Sequence, residues 1–257
     1  MTLRSLGYSL AVLFLLFSCQ EKNQGQDSRL SQPDAFKKVL EAHGDWEKWV
    51  EASSFSFSLV NETTFEMENH YLDLRDGKVR IDAELFQAGN DGEKVWISPN
   101  REAFPWPSVR FYHNLYSTFI SIPYALTDTL VTINPLPNRL FNGISYQTLE
   151  AKVKEGKLIG PSNRYELLID PATGRLAWVL FAENFYDKDN KVQEAIKYED
   201  YRDSNGLIFP RVITVYQIEN DSSNLIRYQV SYSDIFLVNK NLDNSLFEMP
   251  KNAVKAD

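Results

Sequence analysis

A single thiol, three imidazoles and a helically spaced run of aromatics are the side chains of this 257-residue sequence whose types and spacing could do chemistry. The thiol, Cys19, follows Leu16-Phe17-Ser18 at the end of an apolar run from Leu6 to Phe17. With one cysteine, a disulfide within the chain and a Cys₄ or Cys/His-rich zinc site are both excluded. The imidazoles, His43, His70 and His113, lie 27 and 43 residues apart, and no His-x-x-x-His or Glu-x-x-His spacing surrounds them. They read as surface or interface residues, and no metal is expected. Asp187-Lys188-Asp189-Asn190 opens like a calcium loop, but Lys191 and Val192 stand where the loop needs an acid or Asn and then Gly, so it reads as a hairpin tip. Gly143-Ile144-Ser145 and Gly160-Pro161-Ser162 lack the closing Gly of a hydrolase nucleophile turn. Asp73 could face Asp82 or Glu84 across Asp76-Gly77, an arrangement that solvated hairpin charges explain. No phosphate loop or dinucleotide fingerprint occurs. The expectation is a protein with no catalytic residue and no cofactor.

The thiol is read from its place in the sequence, as the attachment point of an exported chain or, alternatively, as a chance cysteine after an uncleaved N-terminal anchor. Arg4 and the amino terminus give the chain a short positive start. The apolar run of 12 residues that follows matches the core of an export signal and is short of the roughly 20 residues that a membrane span requires. After Cys19 the sequence turns polar, Gln20-Glu21-Lys22-Asn23-Gln24-Gly25-Gln26-Asp27-Ser28. Leu16-Phe17-Ser18-Cys19 resembles the lipobox of bacterial lipoproteins, with Phe17 departing from the usual small residue. That resemblance implies removal of residues 1–18, lipid attachment at Cys19, and a membrane partner reached through that lipid. Residues 19–32, polar and without aromatics, read as a flexible tether.

The aromatic run lies between Pro105 and Pro123. Phe111, Leu115 and Phe119 fall four residues apart, joined by Tyr112, Tyr116 and Ile120, which gives an apolar helical stripe. Such a stripe is ordinary core in most proteins. A second reading makes Phe111, Leu115, Tyr116 and Phe119 a lid over an apolar ligand cavity, and a helix packed on a sheet can be both.

The rest of the chain must position that helix. Pro33-Asp34 with Ser31 as cap opens a helix carrying Phe36, Val39 and Leu40, broken at His43-Gly44. Asp45 caps a second helix, Trp46 to Ala52. From Ser53 the period becomes two, with Phe55, Phe57 and Leu59 alternating with serines, as in a half-buried strand. Asp76-Gly77 and Asn90-Asp91-Gly92 mark hairpins. Further on, turn signals at Asp170–Gly174, Asp187–Asn190, Asp203–Gly206 and Asn220–Asn224 delimit segments 175–186, 191–202, 207–219 and 225–236. At 12 or 13 residues each, these predict long antiparallel strands of about 40 Å that must twist and curl. Trp178 sits in Leu176-Ala177-Trp178-Val179-Leu180-Phe181, apolar in both phases, so that strand is expected to be covered on both faces. The fold class expected is α+β: one large curved antiparallel sheet, an unclosed half-barrel, with helices on its concave face, formed by a single domain over 33–257.

Several segments together resemble a known group. They are Gly44-Asp45-Trp46-Glu47, Gly92-Glu93-Lys94-Val95-Trp96, Phe111-Tyr112 through Ile122-Pro123-Tyr124-Ala125-Leu126-Thr127-Asp128, Tyr165 to Gly174, and Gly206-Leu207-Ile208-Phe209-Pro210. They resemble the DUF6503 family of Bacteroidota lipoproteins and, more distantly, the LolA/LolB-like outer-membrane lipoprotein-sorting superfamily. What this implies is an unclosed barrel whose helical lid shelters acyl chains, in a lipid-anchored protein of the cell envelope at the outer membrane. The precursor's net charge of −8 argues against a nucleic-acid partner and against electrostatic docking to anionic lipid. The function expected is a non-enzymatic envelope lipoprotein binding a lipid or other apolar ligand. The alternative is a structural or protein-interaction lipoprotein with a filled core.

Overall fold

The structure, a computed structural model, describes residues 32–155, 157, 159–182 and 193–256. The proposed leader, Cys19 and the Asp187–Asn190 turn lie outside the described residues. Two short helices come first, α1 (Asp34–Ala42) and α2 (Glu47–Glu51). α1 buries Phe36, Val39 and Leu40, the set expected of one helical face. It stops at His43-Gly44, where Gly44 has φ +100° and a Cβ would lie 2.2 Å from the Gly206 carbonyl oxygen, an approach only glycine permits.

Five strands follow: β1 (Ser54–Asn61), β2 (Met67–Asp73), β3 (Val79–Ala83), β4 (Gln87–Asn90) and β5 (Val95–Ser98). The aromatic segment is α3 (Val109–Ser121), started by the Ser108 hydroxyl accepting from the Phe111 N–H at 3.2 Å. Then come β6 (Val131–Phe141), β7 (Ile144–Val153), β8 (Arg164–Ile169), β9 (Leu176–Ala182), β10 (Gln193–Ser204), β11 (Leu207–Glu219), β12 (Ser222–Val238) and the two-residue β13 (Val254–Lys255). All thirteen form one sheet in the order β13-β5-β4-β3-β2-β1-β12-β11-β10-β9-β8-β7-β6, antiparallel throughout. The edges β13 and β6 do not meet, so the sheet is a half-barrel, as the strand pattern predicts.

The curvature can be read from α3. Its 13 residues span about 20 Å. It touches β4, and its Phe119 ring lies 5.5 Å from that of Phe181 on β9. Seven strand spacings separate β4 from β9, about 34 Å in a flat sheet, so the sheet must wrap around the helix. The main core fills that concavity. A second, smaller cluster lies on the outer face, where Trp178 and Leu180 of β9 and Leu168 of β8 meet Phe141, Tyr146 and Tyr216. Alternate residues of β9, Val179 and Phe181, belong to the inner core, which is why this strand is apolar in both phases.

Several elements differ from the sequence expectation. The turn expected at Asn220–Asn224 is only Asn220-Asp221, both with positive φ (+51° and +57°), so β12 begins at Ser222 and is 17 residues long. α2 is five residues long and begins after Trp46. β6 and β7, joined at Asn142-Gly143, form a hairpin that sequence patterning did not assign. Pro135 and Pro137 disguise β6, and they are tolerated because β6 is an edge strand. Asp73 does not face Asp82 or Glu84; its Oδ1 accepts from the backbone N–H groups of Arg75 and Asp76, while Asp82 pairs with Arg80.

Candidate functional site

α3 divides the concavity. Its sheet-facing side carries the aromatic stripe, and Phe111, Leu115, Tyr116 and Phe119 are 5, 4, 3 and 0 % exposed within the main core. The opposite side carries Asn114, Ser117, Thr118 and Ser121, at the helical spacing i, i+3, i+4, i+7. That side faces a cavity of about 760 Å³, within the ~300–1,000 Å³ typical of ligand sites. The facing wall is apolar: Trp49 and Val50 of α2, Phe55 of β1, and Leu72 and Leu74 of β2 and its following turn. Thus the stripe singled out from the sequence holds the wall to the sheet, and none of its four residues lines the cavity. The residues that do, apart from the polar side of α3, come from α2, β1, β2, the turn after α3 and Ile159-Gly160, segments that only the fold brings together.

Three of the hydroxyls that line the cavity, two on α3 and one in the turn after it, donate to backbone carbonyls. Ser117 Oγ donates to the His113 carbonyl at 2.6 Å, Ser121 Oγ to the Ser117 carbonyl at 2.6 Å, and Thr127 Oγ1 to the Tyr124 carbonyl at 2.7 Å. The cavity thus sets an aromatic and aliphatic wall against a polar face, a surface that suits an amphiphile.

Beneath α3 the attachment to the sheet is partly polar. Glu68 and His70 project from β2 into the core, and the Tyr112 hydroxyl donates to Glu68 Oε1. His70 Nε2 lies 2.9 Å from Glu68 Oε2, and its ring stacks on Phe57 at 4.7 Å. Burial, and then the neighbouring Glu68 carboxylate, push the Tyr112 phenol well above its ordinary range, so it stays a donor. The Tyr198 and Tyr232 hydroxyls donate to the Phe119 and Tyr116 carbonyls of α3 at 3.0 and 3.3 Å. Moving α3 away would leave Glu68 buried with half its partners, a costly state. α3 is therefore built as a fixed wall.

The three histidines, read from the sequence as surface or interface residues, are all buried. His43 closes α1: Nδ1 donates to the Val39 carbonyl at 2.8 Å, and the ring packs edge-on to Tyr201 and Tyr124. Burial lowers its pKa from the ordinary 6.5 to about 4. Across that window the unfolded chain binds more protons than the folded one, so stability present above pH 6.5 is lost as the pH falls, by about 3 kcal/mol at pH 4. In an NMR titration the His43 ring should show no protonation step between pH 8 and pH 5; a midpoint near 6.5 would show that the α1 terminus is open to water. Among the described residues no three His, Cys, Asp or Glu gather as metal ligands.

Comparison of this fold with solved structures finds a LolA-superfamily protein from Nitrosomonas europaea at 12 % identity and TM-score 0.51, covering 83 % of this chain and 97 % of that one. Also similar are a DUF1329 family protein from Desulfovibrio piger (12 %, TM-score 0.48, 82 % and 97 % covered) and an outer membrane lipoprotein-sorting protein domain from Vibrio parahaemolyticus (12 %, TM-score 0.42, 82 % and 96 % covered). No family model and no curated protein matches the sequence. At this identity the first likeness shows the fold: the sheet and its enclosed helix have the LolA-like architecture.

Proposed function

We propose that this chain is a non-enzymatic, lipid-anchored protein of the cell envelope, at the outer membrane, that shelters a lipid or other apolar ligand in the cavity beside α3. The observation that carries the reading is the cavity itself: an open space of about 760 Å³ with an aromatic and aliphatic wall on one side and, on the other, a polar face whose two serines donate to backbone carbonyls. Each methylene moved from water into it contributes about 0.8 kcal/mol. In this reading α3 covers the cavity, and its buried face, Phe111, Leu115, Tyr116 and Phe119, keeps that cover in register with the sheet. The LolA-like architecture supports a ligand-sheltering role, because the sheet and helix leave room that side chains do not fill. Membership in the DUF6503 family rests on the sequence segments quoted above.

Asn114 provides the test. It lies on the cavity side of α3 and is exposed, so a larger side chain there enters the cavity without disturbing the core. Asn114→Trp should weaken binding of an uncharged environment-sensitive dye at least tenfold while leaving the melting temperature within a few degrees, as expected for a change on an exposed surface. Unchanged dye binding would place the ligand elsewhere or remove it.

Anchoring is tested separately. Cys19→Ser should abolish incorporation of a labelled fatty acid and release the protein from the membrane fraction. Equal labelling of variant and parent would end the lipobox reading without touching the cavity.

A further inference from the structure

We infer that the cavity takes an amphiphile with an anionic, carboxylate-type head, and that Arg75 is the residue that receives it; this rests on the ligand-binding reading above. Arg75 is the only basic side chain among the described residues lining the cavity, and it is exposed, which places it at the rim. Its guanidinium is held in place. Nε donates to Ser53 Oγ at 2.8 Å, and Nη2 lies 3.3 Å from Asn239 Oδ1 and 3.5 Å from the Glu51 carbonyl. Ser53 is itself buried and donates to Asn239 Oδ1 at 3.0 Å, so the anchor is fixed from behind.

All three of these acceptors are neutral. The carboxylate nearest in sequence, Asp73, is buried and receives the backbone N–H groups of Arg75 and Asp76 instead. No carboxylate forms an ion pair with Arg75 among the described residues. A protein of net charge −8 therefore keeps one oriented guanidinium, with no carboxylate paired to it among the described residues, at the rim of this cavity. Both N–H groups of Nη2 are taken by Asn239 and Glu51, while Nη1 donates to no described residue, so its two N–H groups are the ones left to meet an anionic oxygen in a charge-assisted hydrogen bond. Asp128, the sole acid among the lining residues, has one oxygen committed to the Leu130 N–H at 2.7 Å and stands on the far side of α3 in sequence. The same cavity is lined by the apolar residues Leu74, Leu72, Phe55 and Trp49, a surface for a hydrocarbon tail.

The test compares dodecanoate with 1-dodecanol, two ligands of equal tail and different head. The protein lacking residues 1–19, which keeps every described element, is titrated at pH 8 while an uncharged dye is displaced. Dodecanoate should bind about tenfold more tightly than the alcohol, the gain expected of one charge-assisted hydrogen-bonded pair. Arg75→Gln should remove that preference and leave alcohol affinity unchanged, with a fall of a few degrees in melting temperature from the lost bonds to Ser53 and Asn239. Acetate should displace no dye, since the head alone has no tail to bury. Equal affinity of the two ligands for the parent, or a preference that survives Arg75→Gln, would overturn the assignment of the head while leaving the cavity reading intact. Failure of dye, acid and alcohol alike to bind would overturn both.

Discussion

Phe119→Asp is expected to leave no folded domain. Phe119 is fully buried on the sheet side of α3, packed against Phe181, and its carbonyl receives the Tyr198 hydroxyl. Losing the ring costs about 3–5 kcal/mol, and an unpaired carboxylate in its place adds several more. A domain of this kind has only roughly 5–15 kcal/mol of stability to lose. Circular dichroism should show loss of the sheet together with loss of dye binding. A sheet that persists while dye binding disappears would show instead that α3 is a detachable lid, and that the anchors at Tyr112, Tyr198 and Tyr232 yield more easily than their geometry indicates.

Trp178→Ala should cost about 3–5 kcal/mol, through an independent part of the molecule. Trp178 is on the outer face of β9, 6 % exposed, with Phe141 at 5.1 Å and Tyr216 at 5.5 Å. Those partners come from two hairpin ends that lean across β8–β10 and meet, Asn142 N–H donating to the Asp221 carbonyl at 3.2 Å and Arg139 bridging Glu166 and Asp221. Removing the indole takes away what both hairpins rest on. A denaturation midpoint close to that of the parent would mean that the outer cluster is dispensable and the hairpin ends are held by their polar contacts alone.

How much of this was legible in the sequence follows from what each signal reports. The alternation at Phe55, Phe57 and Leu59 and the doubly apolar run around Trp178 state burial directly, so the inner and outer faces of the sheet could be read before any coordinates. The long strands β10, β11 and β12 were bounded by Asn, Asp and Gly residues whose tolerance of positive φ is a local property. β6 was hidden because its prolines argue against a strand, and only its position at the sheet edge, a property of the whole topology, makes them acceptable. The histidines illustrate the same boundary: their spacing lacks the local patterns of metal ligands, but says nothing about whether His43 or His70 faces water. For the site, the aromatic stripe of α3 was conspicuous and marks the face that the sheet covers. The cavity face, Asn114, Ser117, Thr118 and Ser121, is quiet in sequence, and Leu72, Leu74 and Arg75 gain meaning only once β2 is folded opposite it.

The central claim is that the space beside α3 holds a molecule with an apolar tail. Native mass spectrometry of the protein lacking residues 1–19, returned to its own host and purified without detergent, tests it most directly. The account predicts a protein peak accompanied by a discrete adduct of lipid or fatty-acid mass, absent from Asn114→Trp prepared in the same way. A bare protein mass in both preparations, with no dye uptake by either, would contradict it and leave a sheet-and-helix scaffold whose cavity is empty of function.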